Sequence, residues 1–100
     1  MNYSEIKEEQ FEEICFDFKA LSDKVRIKIV LYLMDGEKNV NDIVSTLSMS
    51  QSSISHHLRI LRDARILKTR NVKQEKYYYI ADSHIRNILE LSLIHLNCEV

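Results

Sequence analysis

The sequence predicts a mainly α-helical fold with one β-hairpin, ordered α-α-α-α-β-β-α, and three observations carry it. Apolar residues recur at helical spacing along most of the chain. One glycine and no proline leave few elaborate turns to interrupt those helices. Two β-prone runs, Ile66-Leu67-Lys68-Thr69-Arg70 and Tyr77-Tyr78-Tyr79-Ile80, break the helical period and flank a polar stretch, as the strands of a hairpin do.

The elements follow in order. Ser4 is placed to open the first helix, with Glu5, Glu8 and Glu9 near its positive end. Ile6, Phe11, Ile14, Phe18 and Leu21 give that helix an apolar face. Ser22 and Asp23 cap a second helix, which carries Val25, Ile27, Ile29, Val30, Leu31 and Leu33 and stops at Asp35-Gly36. Asn39 or Asn41 caps a short helix from Asp42 to Leu47. After the tight connection Ser48-Met49-Ser50, Ser50 caps a longer helix running from Gln51 to about Arg65, with Ile54, Leu58 and Leu61 as its inner stripe. Asp82 caps a final helix that reaches about Cys98.

A short helix, a tight turn and a longer helix make a helix-turn-helix, whose second helix can enter a major groove. The whole chain, 1–100, thus reads as one winged helix-turn-helix domain, with a reading helix at about 51–65, a wing at 66–80 and a last helix at 82–98. Net charge is −1, yet the charges are segregated. Met1 to Asp23 holds seven acids and two bases, whereas Ser50 to Lys76 holds seven bases against Asp63 and Glu75. Phosphate binding responds to that local field more than to the total.

The outward face of the reading helix carries Gln51, Ser52, Ser55, His56, Arg59 and Arg62, with Ser53 beside them at its N-terminal end. Small polar residues at that end permit close approach to base edges, while Arg59 and Arg62 suit the phosphate backbone. Lys68, Arg70, Lys73 and Lys76 would make the hairpin a basic wing. His57, next to the buried stripe, reads as a packing residue. The partner expected is double-stranded DNA.

The last helix carries a second pattern. His84, Ile88, Leu91, His95 and Cys98 are spaced 4, 3, 4 and 3 residues apart, a coiled-coil seam. His84 and His95 share a face but lie about 16 Å apart along the axis. One metal with bonds of about 2.0–2.3 Å cannot bridge them. Two antiparallel copies would instead set Asp82 and His84 of one chain against His95 and Cys98 of its partner. The expectation is a homodimer with metal sites shared across its seam.

The string Phe18-Lys19-Ala20-Leu21-Ser22-Asp23, with Arg26-Ile27-Lys28-Ile29, resembles the second-helix signature of the ArsR/SmtB metal-sensing repressors. Ser50-Gln51-Ser52-Ser53-Ile54-Ser55-His56-His57-Leu58-Arg59-Ile60-Leu61 resembles their recognition helix, and Leu67 to Ile80 their wing. The resemblance spans about residues 16 to 98. It implies a homodimeric repressor released from double-stranded operator DNA by an inducer, with Gln51, Ser52, Ser55 and His56 as DNA contacts. It also implies a zinc-type site at Asp82, His84 and His95, from which Cys98 departs, since zinc-responsive members carry His or Glu there. The Cys-x-Cys pattern of other members is absent, Asn39, Val40 and Asn41 standing in that region. Many members have Pro-Thr at Lys24-Val25, and the wing tip, Asn71 to Lys76, lacks their glycine.

Zn2+ is the expected regulatory ligand; the softer Cys98 thiolate keeps Co2+, Cd2+ and Ni2+ open. Two alternatives stay open as well. Cys98 with Cys15 could form a thiol switch in the same fold, or the chain could be a helical dimerisation module that never binds DNA. No apolar run reaches the 18–20 or so residues that span a bilayer, so no membrane partner is expected. The acidic N-terminus lacks the core of a signal peptide, and two cysteines without a framework fit a reducing cytoplasm. No cleft-forming glycine loop appears, which argues against an enzyme.

Overall fold

The computed structural model describes residues 2–97. Five α-helices, α1 (Glu8–Leu21), α2 (Lys24–Tyr32), α3 (Val40–Leu47), α4 (Gln51–Asp63) and α5 (Ser83–Asn97), surround a small sheet of β1 (Lys38–Asn39), β2 (Leu67–Val72) and β3 (Glu75–Ile80). The sheet is antiparallel, in the order β1-β3-β2. The fold is a winged helix-turn-helix, as the periodicity predicts.

Side-chain caps set most helix starts. Asp23 accepts from the Arg26 amide at 3.0 Å, Asn39 from Asp42 at 2.8 Å and Ser50 from Ser53 at 3.2 Å. Asn39, rather than Asn41, therefore opens α3. The first helix departs from expectation: Tyr3–Glu5 forms a single 3-10 turn capped by Asn2, and α1 begins only at Glu8. Ser4 lies inside that turn with its hydroxyl donating to the Asn2 side-chain oxygen at 2.7 Å, and the longer helix starts instead after Lys7, whose amide donates to the Gln10 side chain at 2.9 Å. α2 ends at Tyr32 in a further 3-10 turn, Leu33–Asp35, and Gly36 at φ 141° turns the chain into β1. That two-residue strand pairs Lys38 with Tyr78 and Asn39 with Tyr77, and it is too short to leave a periodic signal in the sequence.

The hairpin is longer than the β-prone runs. Its turn places Lys73 at φ 48° and Gln74 at φ 70°, two left-handed residues in succession. This is the two-residue geometry that suits the twist of paired strands, made here without glycine.

Ile29, Val30, Leu33, Ile43, Ile54, Leu58, Leu61, Ile66 and Leu67 form the centre of the core and are almost fully enclosed. The inner stripe of α4 is thus the one its spacing predicts. Tyr78 joins this core from β3, whereas Tyr77 and Tyr79 are half-buried on the other face of the strand. α5 contributes Leu89, with Ile85 packed at the margin.

Two helical faces remain outside this core. On α1, Phe11, Ile14 and Phe18 are each about half exposed (48%, 49% and 53%). On α5, Leu91 and Ile94 are exposed at 64% and 63%, and Leu96 at 77%. The radius of gyration, 15.1 Å, exceeds the roughly 13 Å of a closed domain of this length.

Candidate nucleic-acid interface and sensor helix

The helix-turn-helix is built by α3, the three residues Ser48 to Ser50, and α4. Ser48 adopts the left-handed conformation at φ 54° that closes α3, and the Met49 amide returns to the Val44 carbonyl at 3.3 Å. Ser50 then caps α4, so the first amides of the reading helix stand at a defined, exposed end. Gln51, Ser52, Ser55, His56, Arg59 and Arg62 are all exposed along one side of α4. Ser53 is half-buried and its amide is held by the Ser50 hydroxyl, which places it behind that face.

A groove of about 480 Å³ separates α4 from β3 and is lined by Ser55, Arg59, Arg62, Lys76 and Tyr78, with Asp63 as its one carboxylate against three cations. Reading helix and wing therefore bound one continuous basic surface. On the wing, Lys68, Lys73 and Lys76 are exposed. Arg70 differs. Its guanidinium engages both carboxylate oxygens of Glu37, just before β1, in a fork-to-fork pair. The Arg70 hydrogen bond holds the Glu37 carboxyl below its usual range. Glu75 is also engaged, accepting from Tyr77 at 3.1 Å and from Asn39 at 3.4 Å.

His57 is a packing residue, as expected, and also part of a polar link. Arg26 Nη1 lies 3.2 Å from His57 Nδ1, while Arg26 Nε donates to the Ala20 carbonyl at 2.6 Å. The Asp23 carboxylate stands 3.8 Å from the same ring nitrogen. Burial pushes the His57 pKa down, the Asp23 charge opposing and the Arg26 and His56 charges adding to the effect. The three side chains tie the end of α1 and the start of α2 to the reading helix. Sequence spacing shows the Asp23–Arg26 half of this link, an i, i+3 pair, but not its long-range partner.

At the start of α5, Asp82 Oδ1 accepts from the amides of His84 at 2.9 Å and Ile85 at 3.2 Å. Asp82 is therefore an N-cap, with His84 Nδ1 3.6 Å from the same oxygen. Both side chains are open to solvent, 52% and 86% exposed. His95 is exposed three turns further along the helix. Cys98 lies outside the described residues. Among the described residues no three His, Cys, Asp or Glu groups converge within one chain as a metal site. The chain brings Asp82 and His84 together and leaves His95 apart, as the helical rise requires.

Residues 23–69 match the bacterial regulatory protein, arsR family. The chain is 35% identical over 88 residues to a transcriptional repressor SmtB homolog of Synechocystis, covering 88% of this chain and 67% of that protein. It is 38% identical to a cadmium resistance regulatory protein CadC homolog of Staphylococcus aureus, over 78% of this chain and 65% of the relative. The transcriptional activator HlyU of Vibrio cholerae is 30% identical over 99% of this chain and 90% of its own length. The chain belongs to the ArsR family.

The solved HlyU structure superposes with a TM-score of 0.81, covering 93% of this chain and all of that one at 30% identity. A homodimeric winged helix-turn-helix DNA-binding domain from Mycobacterium bovis gives 0.86 at 23% identity, over 97% and 90% of the two chains, and supports the fold. As an ArsR-family protein the chain is a DNA-binding transcriptional regulator and not an enzyme. It spans about two thirds of the length of the SmtB and CadC relatives. Among the described residues no helix is long and apolar enough to cross a membrane.

Proposed function

We propose that the protein is a metal-responsive repressor that acts as a homodimer and leaves its operator when zinc, or a similar transition ion, binds across the α5 seam. The observation that carries this reading is the exposed α5 face, which sets Asp82 and His84 at one end, His95 at the other and Leu91 between them. An antiparallel pairing of two such faces brings the first two ligands against the partner's His95 end. It would also cover apolar surface that the single chain leaves in water. Asp, His, His and Cys form a donor set suited to tetrahedral zinc, with Cys98 as the fourth ligand. The SmtB and CadC relatives support metal responsiveness; the ligand set of this chain makes zinc the first candidate. Cobalt, cadmium and nickel share enough of that chemistry to compete.

On the DNA side, Gln51, Ser52, Ser55 and His56 would meet base edges, while Arg59, Arg62, Lys68, Lys73 and Lys76 meet phosphates. Each dimer would place its two reading helices in successive major grooves, about 34 Å apart. Metal bound between the α5 helices needs only to favour a dimer with a different helix separation. The coupling is reciprocal, so DNA must weaken metal binding by the same factor.

Symmetry gives two equivalent sites per dimer, hence one metal per chain. Metal analysis of the purified protein, together with its solution mass, tests this. The expected result is a dimer holding one tightly bound zinc per chain, with His84→Ala and His95→Ala each losing it. A dimer that binds no transition metal at stoichiometric levels contradicts the reading.

A second reading has one observation in its favour. Cys15 is exposed on α1 beside Phe11, Ile14 and Phe18, the face left free for a partner. A disulfide between Cys15 and Cys98 would make the same dimer thiol-responsive. Peroxide would then release DNA from the metal-free protein, and Cys15→Ser would block that release.

A further inference from the structure

Arg65 follows the reading helix at φ 59°, a left-handed conformation for which glycine is the ordinary choice. The local hydrogen bonds show why the chain turns there: Ile66 donates to the Leu61 carbonyl at 3.0 Å, and Arg65 to the Arg62 carbonyl at 2.9 Å. This closure needs no side chain. Arg65 nonetheless carries a long cation that is exposed and forms none of the salt bridges found among the described residues. On one side Arg65 borders an acidic cleft with Glu9, Glu12, Glu13, Asp17, Asp63 and Asp82 but forms a salt bridge with none of them, so a strained position holding an unbridged cation points to a use outside the fold.

That side chain lines a cleft of about 310 Å³ together with Arg62, Leu67, Lys68, Thr69 and Tyr79. Three cations and two hydroxyls therefore surround one concavity, and no carboxylate lines it. Arg62 also lines the groove between α4 and β3, so the cleft continues the basic surface around the end of the reading helix. We propose that this notch seats a phosphate of the DNA backbone flanking the groove that α4 reads, with Arg65 as its added cation. The guanidinium groups supply charge and forked donors, and the Thr69 and Tyr79 hydroxyls supply further donors. The inference rests on the DNA-reading role of α4. It extends the footprint to a residue that charge counting alone does not distinguish.

Arg65→Gly is a clean probe, because glycine suits the left-handed backbone. Binding of the full-length protein to a mixed-sequence duplex would be measured over a series of KCl concentrations. Arg65→Gly should weaken binding about threefold to tenfold and reduce the salt slope by about one, while Tm stays level or rises. Arg65→Lys should keep most of the slope. A slope unchanged in Arg65→Gly overturns the proposal, as does a fall in Tm without a change in slope, which would assign Arg65 to the acidic cleft on its other side. Titration with inorganic phosphate separates the sources of the anion: saturable binding lost in Arg65→Gly, with an unchanged DNA slope, would mean a free-anion site and no backbone contact. A wild-type protein that binds no duplex removes the DNA-reading role itself and the notch with it.

Discussion

Arg26 points Nη1 at Nδ1 of His57 from 3.2 Å, joining the reading helix to the C-terminal end of α1, whose Ala20 carbonyl takes the Arg26 Nε hydrogen. The guanidinium is only a donor, so His57 must accept at Nδ1 and carry its proton on Nε2. The ring is therefore neutral in this arrangement, in keeping with the lowered pKa that its burial produces.

The sign of the pH dependence follows. A histidine whose folded pKa lies below its unfolded value favours the native state fully at pH above the unfolded pKa, near 6.5 or so. That contribution is lost as pH falls through the unfolded value towards the folded one. Thermal unfolding of the wild type should therefore show a drop in Tm between about pH 7.5 and 5.5 that His57→Gln reduces. An equal drop in both proteins would remove His57 as its source.

Removing the other partner costs more. Arg26→Ala leaves the His57 acceptor and the α1 carbonyls without their donor, at about 1–3 kcal/mol of stability. Arg26→Lys should recover little of it, since an ammonium cannot reproduce the fork that spans Ala20 and His57. Chemical denaturation of the two variants checks both statements; full recovery by lysine would make the link a simple charge effect.

The two faces of α5 should respond differently. Leu89→Ala opens the enclosed core and should destabilise the protein by about 2–5 kcal/mol. Leu91→Glu alters an exposed seam position and should leave the chain folded but monomeric in sedimentation equilibrium. A stable dimer of Leu91→Glu would place the subunit contact elsewhere.

The wing tip offers a gain. Lys73 and Gln74 both hold positive φ values that Asn-Gly adopts more readily. The double substitution Lys73→Asn, Gln74→Gly should raise stability by about 0.5–1 kcal/mol. An unchanged or lower Tm would indicate that the tip adopts another turn in solution.

Glu37 restrains one cation of the wing. Glu37→Gln removes the charge that holds Arg70, and non-specific duplex binding should become tighter with a steeper salt slope. Equal slopes for variant and wild type would show that Arg70 cannot reach DNA even when released.

Much of this was legible in the sequence because each element carries its own period or cap. Ile54, Leu58 and Leu61 announce the buried stripe of α4, and Ser50, Asp23 and Asp82 mark helix starts that the hydrogen bonds bear out. The start of α1 differs because Ser4 has a cap's chemistry, yet it sits inside a turn opened by Asn2 and gives its hydroxyl to that side chain. β1 leaves no signal in the sequence, since two residues cannot show alternation, and nothing local marks its neighbour Glu37. Pairings between distant residues, Arg26 with His57 and Arg70 with Glu37, depend on how helices and sheet meet and leave no local trace. The proposed metal ligands are a different case: the spacing of His84 and His95 predicts that they stand about three turns apart on one helix, and α5 places both of them on it, exposed.

In the function proposed above, metal at the α5 seam and DNA at α4 are coupled. The most direct test of that coupling titrates zinc into the metal-free dimer bound to a duplex that the protein itself has selected from a random pool. DNA affinity should fall about 10- to 100-fold as zinc reaches one equivalent per chain, and His84→Ala should abolish that fall. Unchanged affinity in the wild type, with zinc shown to be bound, would contradict it.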